Sequence, residues 1–349
     1  MGTKSHNKPK KRIFYSFKEK LKLKYEKDIV KDSYVKFTKR NSFCVFNSIY
    51  DLFYLIYLTH KNSIVFFDII DNKPIIKIKN AHQFYITNIR HCVDNNNRRD
   101  LIITISLEDN NIKLWNVNNF ECLFNLKNIY NQGRLFSSCF LNDNNQIYII
   151  TSNNNSNKPF KIFDLKGKLI KEINILNSGV EYIDIFYERK NSKIYILTCE
   201  KDSVKSYDYV NNKIYNIYKE FETSEFDFLI HTYLIINNND ELIESCYDGN
   251  IRIWNFHSAK LLKVIRITKD RYALRCFYLW DNKYLFAGCQ KRIEIVQLED
   301  GYIVNELIGH NNDITYITII NHPKYGKCLI SQCYYKGEIK LFIKSSLNG

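Results

Sequence analysis

The stretch YDGNIRIWNF, residues 247–256, combines a turn signal with a short strand. The dipeptide Asp248-Gly249 favours a tight turn. The following Ile251-Arg252-Ile253-Trp254 is rich in β-branched and aromatic residues, which favour strands, and polar Asn255 ends the run. Taken alone, the stretch is compatible with one exposed hairpin, a ligand site or a unit of a larger structure.

The same pattern occurs seven times: an apolar residue, any residue, an apolar residue, an aromatic residue, and then Asp or Asn, with some copies degenerate. The copies are SIVFFD (63–68), NIKLWN (111–116), PFKIFD (159–164), SVKSYD (203–208), NIRIWN (250–255), RIEIVQ (292–297) and EIKLFI (338–343). Their last residues are spaced 42 to 48 positions apart, which is the period of a repeat architecture.

Each copy is surrounded by further strand-like segments. Upstream of the second copy lie YITNIRHCV (85–93) and LIITIS (101–106), and downstream of the first copy lies KPIIKIKN (73–80). Four strands in each of seven units predict an all-β fold, a seven-bladed β-propeller.

These residues resemble the WD-repeat (WD40) family over about residues 33–349. The resemblance is carried by Asp248-Gly249 before Ile251–Asn255, by Asp109 before Ile112–Asn116, and by Ala81-His82 and Gly309-His310 at the start of two repeats. It implies a His, Ser/Thr, Asp and Trp tetrad in each blade. Here the tetrad is partial, and the residues assigned to this structural role are His82, Asp109, Trp115, Asp248, Trp254 and His310. Thr104 and Ser106 fall outside the usual register for its hydroxyl, so we expect most blades to depend on apolar packing.

The last copy ends six residues before the C-terminus, which leaves no room for a fourth strand. The resemblance implies that a strand from the N-terminus completes the last blade and covers its open edge. The strand-like SYVKFTK (33–39) is our prediction for that strand. We therefore predict a propeller over residues 33–349, preceded by a short basic arm over residues 1–32.

The positive charge is concentrated in this arm. The chain has a net charge of +14, and residues 1–40 contain fourteen Lys/Arg against four Asp/Glu. KPKKR (8–12) resembles a short nuclear-localisation cluster. A helical spacing follows at Phe14, Phe17, Leu21, Tyr25 and Ile29. The apolar stripe of such a basic helix either packs on the propeller or docks on a protein, RNA or anionic surface. The basic arm residues that would contact RNA are Lys8, Lys10, Lys11 and Arg12.

The remaining composition excludes several classes. The ten cysteines are scattered, without a CxxC pair or a Cys/His cluster at zinc spacing, which predicts free thiols in the cytoplasm or nucleus, no metal and no cofactor. The sequence shows no apolar segment of membrane-spanning length. The common catalytic and phosphate-binding motifs are absent as well, so we expect neither an enzyme nor a small-molecule substrate.

The candidate binding residues lie just before the first strand of each unit and in nearby turns. They are Tyr85, Arg134, Glu181, Glu225, Arg271, Tyr272, Arg292 and Asp313. Aromatic and charged residues around a channel mouth favour recognition of proteins. We therefore expect a scaffold that binds protein partners within a complex; the alternative is a component of a nuclear RNA–protein assembly whose arm contacts RNA. The polar segment SNNNSNK (152–158) is expected to be a flexible insertion.

Overall fold

The computed structural model describes residues 23–31, 43–59, 62–108, 110–174, 177, 179–200, 203–219, 231–246, 248–268, 274, 276–333 and 338–345. These residues form 28 strands in seven four-stranded antiparallel sheets. The predicted seven-bladed, all-β propeller is thereby confirmed. No described residue belongs to a helix that is long and apolar enough to cross a membrane.

We number the blades in chain order and the strands of each blade in their order of pairing. Blade 1 consists of β2 (Phe43–Asn47), β3 (Phe53–Leu58), β4 (Ile64–Asp68) and β5 (Lys73–Ile78). Blade 2 consists of β6 (Ile86–Asp94), β7 (Arg99–Ser106), β8 (Asn111–Asn116) and β9 (Glu121–Leu126). Blade 3 consists of β10 (Leu135–Asp143), β11 (Gln146–Asn153), β12 (Phe160–Phe163) and β13 (Leu169–Ile173).

Blade 4 consists of β14 (Val180–Glu188), β15 (Lys193–Glu200), β16 (Val204–Asp208) and β17 (Lys213–Tyr218). Blade 5 consists of β18 (His231–Ile236), β19 (Glu241–Cys246), β20 (Asn250–Asn255) and β21 (Leu261–Arg266). Blade 6 consists of β22 (Phe277–Trp280), β23 (Tyr284–Cys289), β24 (Arg292–Gln297) and β25 (Ile303–Ile308). Blade 7 consists of β26 (Ile314–His322), β27 (Gly326–Cys333), β28 (Glu338–Lys344) and, as its fourth strand, β1 (Leu23–Lys31).

The repeated third strand explains how the blades pack. Side chains an odd number of positions apart on a strand face opposite sides of the sheet. The aromatic position of each third strand packs against the preceding blade; it is Phe67, Trp115, Phe163, Tyr207, Trp254, Val296 and Phe342. The apolar residue three positions earlier packs against the following blade; it is Ile64, Ile112, Phe160, Val204, Ile251, Ile293 and Ile339. Seven apolar clusters therefore join the blades into a ring.

The ring is closed by an N-terminal strand, but not by the one we predicted. β1 pairs antiparallel with β28, and Tyr25 lies opposite Phe342. Because the outer edge of β28 is occupied by residues 23–31, the prediction that residues 33–39 form this strand is wrong; those residues lie outside the described ones. Residues 23–31 are also a strand, and not the second half of an amphipathic helix.

β1 has the features of the other fourth strands. In blades 1 to 6, the register between the third and fourth strands shifts at the aromatic position of the third strand. β1 shows the same shift between Tyr25 and Lys27, opposite Phe342 and Leu341. A second shift between Asp28 and Val30 interrupts the alternation of buried and exposed side chains. These irregularities explain why the sequence of β1 does not show the period of a strand.

Side chains of β1 contribute to both interfaces of blade 7. Leu23 is buried in the cluster shared with blade 6, and Ile29 is buried in the cluster shared with blade 1. Nζ of Lys340 lies 2.8 Å from Oδ1 of Asp28, and it also lies 5.0 Å from the centre of the Tyr25 ring. An ion pair that is largely covered by protein therefore links the first strand to the last.

We expect Asp28→Asn to lower the free energy of unfolding by about 1–3 kcal/mol, because the covered ammonium of Lys340 loses a charged partner. Urea denaturation of the full chain measures this change. Asp71→Asn is the matched control, because Asp71 pairs with Lys73 at 2.7 Å on the exposed surface. Water screens such an exposed pair, so its loss should change stability little.

Two truncated chains extend this test. Removal of residues 1–20 leaves β1 whole and is expected to preserve the melting temperature. Removal of residues 1–31 opens the edge of β28 and uncovers both interfaces of blade 7, so a large loss of stability is expected. Equal melting temperatures for the two chains would contradict the closure by β1.

Candidate interaction surface

The first strands of the blades line the central channel, because neighbouring first strands contact one another, as β6 contacts β10 and β10 contacts β14. All first strands begin at the same end of the channel, which we call the upper face. This face carries the segments that connect successive blades and the turns between second and third strands. Residues that directly precede the first strands therefore surround one opening.

In blade 2, a buried polar centre holds the connecting segment against the sheet. Nε2 of His82 lies 2.8 Å from Oγ1 of Thr104, and Nε1 of Trp115 donates a hydrogen bond of 2.9 Å to the same oxygen. Thr104 is thus in register with both rings, and the expectation that no hydroxyl occupies this place is wrong. Burial, together with the positive charge of Lys113, lowers the pKa of His82 to about 3, so the ring is neutral.

Blades 7 and 3 contain the same centre with other residues. Nε2 of His310 lies 2.6 Å from Oγ of Ser331, and Phe342 stands in place of the tryptophan. In blade 3 the hydroxyl of Tyr130 lies 3.0 Å from Oγ1 of Thr151. A tyrosine of the connecting segment therefore makes the contact that His82 makes in blade 2.

In blade 5 a carboxylate replaces the hydroxyl. Nε1 of Trp254 donates a hydrogen bond of 3.0 Å to Oε1 of Glu244, which is buried. Asp248 binds Arg252 at 2.6 Å and holds Asn250 through its backbone and side chain. Trp254 and Asp248 thus make polar contacts within blade 5, and their roles in the tetrad that the resemblance implies stay a prediction.

In blade 4, the corresponding polar centre is a buried ion pair between Glu200 and Lys205. Glu200 accepts hydrogen bonds of 2.8 Å from Lys205 and from Thr198, and the hydroxyl of Tyr207 donates to the same carboxylate. Buried charges of this kind are tolerated when they are paired and hydrogen-bonded. Blade 4 therefore combines this polar centre with the apolar packing that we expected for most blades.

A basic residue of the third strand supports these centres. It stands two positions before the aromatic position in five blades, as Lys113, Lys161, Lys205, Arg252 and Lys340. Lys113 donates to the carbonyl oxygen of Ala81 at 2.6 Å, and Lys161 donates to that of Ile129 at 3.0 Å. Both carbonyl groups belong to connecting segments, which are thereby fixed at their base.

Asparagine side chains fix the outer part of the same segments. Nδ2 of Asn62 donates to the carbonyl oxygen of Gln83 at 2.8 Å, and Asn110 binds the backbone of both Tyr130 and Leu135 at 2.7 and 2.8 Å. The φ angles of Asn62 and Asn110 are 55° and 51°, in the left-handed region that Asn tolerates well. Ten of the eighteen described non-glycine residues with positive φ are Asn, so Asn occupies turns that other proteins give to glycine.

The polar segment 152–158 is held in place, contrary to our expectation of a flexible insertion. Asn153 donates to the carbonyl oxygen of Gln132 at 3.0 Å, and Asn154 accepts from the backbone of Arg134 at 3.1 Å. At its other end, the backbone of Asn157 donates to the carbonyl oxygen of Asn177 at 3.0 Å. The segment therefore connects the loops on both sides of blade 3.

Four predicted rim residues lie where the first strands begin. Tyr85 is 46% exposed directly before β6, while Arg134 and Asp313 are exposed directly before β10 and β26. Glu181 is partly buried at the register shift between Val180 and Tyr182. Tyr85 and Arg134 belong to neighbouring blades, so the structure brings them to one side of the opening. Their role in binding stays a prediction.

Arg292 lies away from the channel mouth. It begins the third strand of blade 6, and its Nε atom lies 2.5 Å from Glu294 and 3.7 Å from Glu306 of the fourth strand. Its charge is therefore directed toward the outer strands. Several predicted positions lie outside the described residues: Lys8, Lys10, Lys11, Arg12, Asp109, Glu225, Arg271 and Tyr272.

Sequence reasoning missed two features of this region. Phe84 is 38% exposed and adjoins Tyr85, so two neighbouring aromatic rings are accessible on the rim of blade 2. Inside the channel, Arg90 of blade 2 donates to the carbonyl oxygen of Ile183 at 3.3 Å, and its guanidinium lies 4.8 Å from the ring centre of Tyr182. Adjacency in the sequence indicates the first feature, whereas the second depends on contact between blades.

The fold also assembles a cluster of ligand-type side chains that sequence spacing does not show. His310, Cys333 and Glu338 are all buried, and their donor atoms lie within 4.8 Å of one another. The three residues come from a connecting segment, the end of a second strand and the start of a third. Their spacing in the sequence matches none of the zinc patterns considered above.

The chain matches no protein-family model, and a search of curated proteins finds no match either. The class that its structure defines is a seven-bladed β-propeller of four-stranded antiparallel blades, consistent with a WD40-type fold.

Acidification is expected to destabilise the fold through His82. The ring has a pKa of about 3 when folded, against about 6.5 for an exposed histidine, so below pH 6.5 only the unfolded chain gains a proton there. Stability then falls toward pH 3 by up to about 1.4 kcal/mol per pH unit. We expect His82→Gln to lower stability at pH 7 and to reduce the loss between pH 7 and pH 5 by about 2 kcal/mol in urea denaturation.

The control for this experiment is Trp115→Phe, which disturbs the same polar centre and keeps the imidazole. It should retain the pH dependence of the unchanged chain. If His82→Gln retained that dependence as well, a neutral buried His82 would be excluded.

Substitution of Asn110 separates backbone conformation from hydrogen bonding. Asn110→Gly accommodates the φ angle of 51° and loses the side-chain hydrogen bonds, whereas Asn110→Ala also incurs a left-handed conformation cost of about 1 kcal/mol. We expect the alanine variant to be less stable than the glycine variant by about 1 kcal/mol, and both to be less stable than the unchanged chain. Thermal and urea denaturation measure these differences.

Asn212→Gly is the matched control, because Asn212 has a φ of 53° in a turn at the opposite face. No side-chain hydrogen bond joins Asn212 to a connecting segment of the described residues. Its replacement should change stability by less than about 0.5 kcal/mol. A loss equal to that of Asn110→Gly would argue against the loop-fixing role of Asn110.

Proposed function

We propose that the chain is a divergent WD-repeat protein that acts as a non-catalytic scaffold within a complex. Its upper face over blades 2 and 3 is the proposed site for a protein partner. The observation that carries the proposal is the exposed pair Phe84 and Tyr85, with Arg134 on the neighbouring blade. Aromatic and arginine side chains contribute most of the binding energy at many protein interfaces.

The fixed loops favour this proposal. The segment that carries Phe84 and Tyr85 is held by Asn62 and by the His82 centre, and Arg134 is held by Asn154. Loops that are already ordered lose less conformational entropy on binding, so more of the contact energy contributes to affinity.

The polar centres favour a scaffold over an enzyme. His82 and His310 are 3% and 5% exposed, and each ring directs one nitrogen to a hydroxyl inside its blade. Their contacts position loops and not reacting groups. None of the ten cysteines, all of which are described, forms a disulfide, which suits a cytoplasmic or nuclear scaffold.

The test is affinity purification with mass spectrometry, using the full chain and the double variant Phe84→Ala and Tyr85→Ala. Partners of the upper face should fall at least tenfold in recovery with the variant, because truncation of such residues commonly costs more than about 1.4 kcal/mol. Tyr302→Ala is the matched control, since Tyr302 is 71% exposed in a turn at the opposite face. Equal recovery of every partner by the double variant would contradict the proposed site.

A second candidate, the RNA-associated assembly, is supported by where β1 begins. Leu23 pairs with Lys344 at the end of β28, so the chain enters the propeller at the face opposite the upper rim. Residues 1–22, which precede Leu23 in the chain, carry eight Lys/Arg in the sequence. In the same purification, partners held through RNA should be lost on nuclease treatment and on replacing Lys8, Lys10, Lys11 and Arg12 by glutamine. Such partners should be unaffected by the Phe84 and Tyr85 substitutions.

A further inference from the structure

Three side chains of different metal-ligand types converge at the upper end of blade 7. His310 lies in the segment before β26, Cys333 ends β27, and Glu338 begins β28. They are 5%, 0% and 6% exposed, respectively. The nitrogen, sulfur and oxygen donor atoms are therefore held by a sheet and the loop packed on it.

The donor atoms converge on one carboxylate oxygen. Oε2 of Glu338 lies 3.9 Å from Nδ1 of His310 and 3.9 Å from Sγ of Cys333. The first distance is too long for a direct hydrogen bond, which requires about 2.7–3.2 Å. In a tetrahedral zinc site, with bonds of about 2.0–2.3 Å, neighbouring ligand atoms lie about 3.3–3.7 Å apart. The two distances to Oε2 of Glu338 need to contract by only a few tenths of an ångström to hold a metal ion, while all three donor atoms lie within 4.8 Å of one another.

Neighbouring groups orient two of the three side chains. Nε2 of His310 lies 2.6 Å from Oγ of Ser331, and Asn311 donates to Oε1 of Glu338 at 2.7 Å. Nδ1 of His310 has no hydrogen-bond partner within the described part of the chain. When Nε2–H donates to Ser331, Nδ1 presents its lone pair toward Glu338. Contacts of this kind orient metal ligands in known sites.

Blade 2 provides an internal comparison. His82 occupies the place of His310, and its Nε2 atom makes the equivalent hydroxyl contact. Ser106 ends the second strand where blade 7 has Cys333, and Asn111 begins the third strand where blade 7 has Glu338. The neutral Ser106 and Asn111 are poor metal ligands. Blade 7 therefore differs from blade 2 by a thiol and a carboxylate at two matched positions.

We propose that His310, Cys333 and Glu338 bind a zinc-type divalent cation, with a solvent molecule as the fourth ligand. A thiolate, an imidazole and a carboxylate together suit Zn²⁺, and two anionic ligands balance its charge. Lys340 also approaches Oε2 of Glu338 at 3.9 Å, but its ammonium is bound to Asp28 at 2.8 Å. Asp28 therefore offsets part of the positive charge that Lys340 places near the proposed cation.

The bound ion would stabilise the closure of the ring. It would connect the loop before β26 to the end of β27 and to β28, the strand that pairs with β1. A ligand that binds only the folded state raises stability in proportion to the logarithm of its concentration over Kd. Zinc is therefore expected to raise the melting temperature of the full chain.

The test is a titration of the full, chelator-treated chain with Co²⁺, followed by displacement with Zn²⁺. We expect one tight equivalent with a Co²⁺–thiolate charge-transfer band, and a rise in melting temperature with Zn²⁺. Cys333→Ser should lose the band and the rise, and Glu338→Gln should weaken affinity at least tenfold while retaining an oxygen that accepts from Asn311. The fold of each variant is checked by circular dichroism.

Cys246→Ser is the matched control, because Cys246 ends the second strand of blade 5 as Cys333 ends that of blade 7. It should retain the band and the Zn²⁺ effect. Three results would overturn the proposal: no tight equivalent in the unchanged chain, a thiolate band that persists in Cys333→Ser, or affinity unaffected in Glu338→Gln. The first would leave His310 and Glu338 with the loop-holding role alone, and the second would assign the metal to another thiol.

Discussion

Each blade of this ring buries one face against the preceding blade and the other against the following blade. The seven interfaces must therefore form together, because an open ring leaves two apolar faces in water. The pairing of β1 with β28 satisfies this constraint in blade 7, the one described sheet whose four strands are not consecutive in the chain. It also brings Leu23 and Ile29 into the clusters on either side of blade 7. Packing of every other blade depends on that closure.

The buried polar centres hold the connecting segments over their sheets, although the tetrad of His, Ser/Thr, Asp and Trp is incomplete. Three pairs of residues differ in chemistry but occupy corresponding places in their blades: His82 with Thr104, Tyr130 with Thr151, and Trp254 with Glu244. Since the third-strand residues keep the same register, a hydroxyl or a carboxylate at the matching second-strand position can meet them. The sequence can thus diverge in residue type while the geometry of the upper face is preserved.

The sequence was sufficient to predict the number of blades, because the third-strand pattern keeps its order of apolar and aromatic positions in every copy. It was insufficient to predict the closing strand. Two register shifts hide the strand period of β1. In addition, the spacing of Tyr25 and Ile29 also fits a helix. The role of Thr104 was missed because the depth of a hydroxyl in a sheet depends on pairing between strands. Tyr85 was predicted as a rim residue, whereas Phe84 joined the candidate surface only through its exposure. Chain spacing could not reveal the cluster of His310, Cys333 and Glu338.

Asp28 and Lys340 form a direct ion pair although 312 positions separate them in the chain. During synthesis, the amino-terminal strand leaves the ribosome long before its partner has been translated. Until then, its unpaired edge and the open side of blade 1 are exposed, and such surfaces favour aggregation and chaperone binding. A product that stops short of β28 would keep those surfaces permanently. Pairing of β1 with β28 is therefore the step that buries both surfaces.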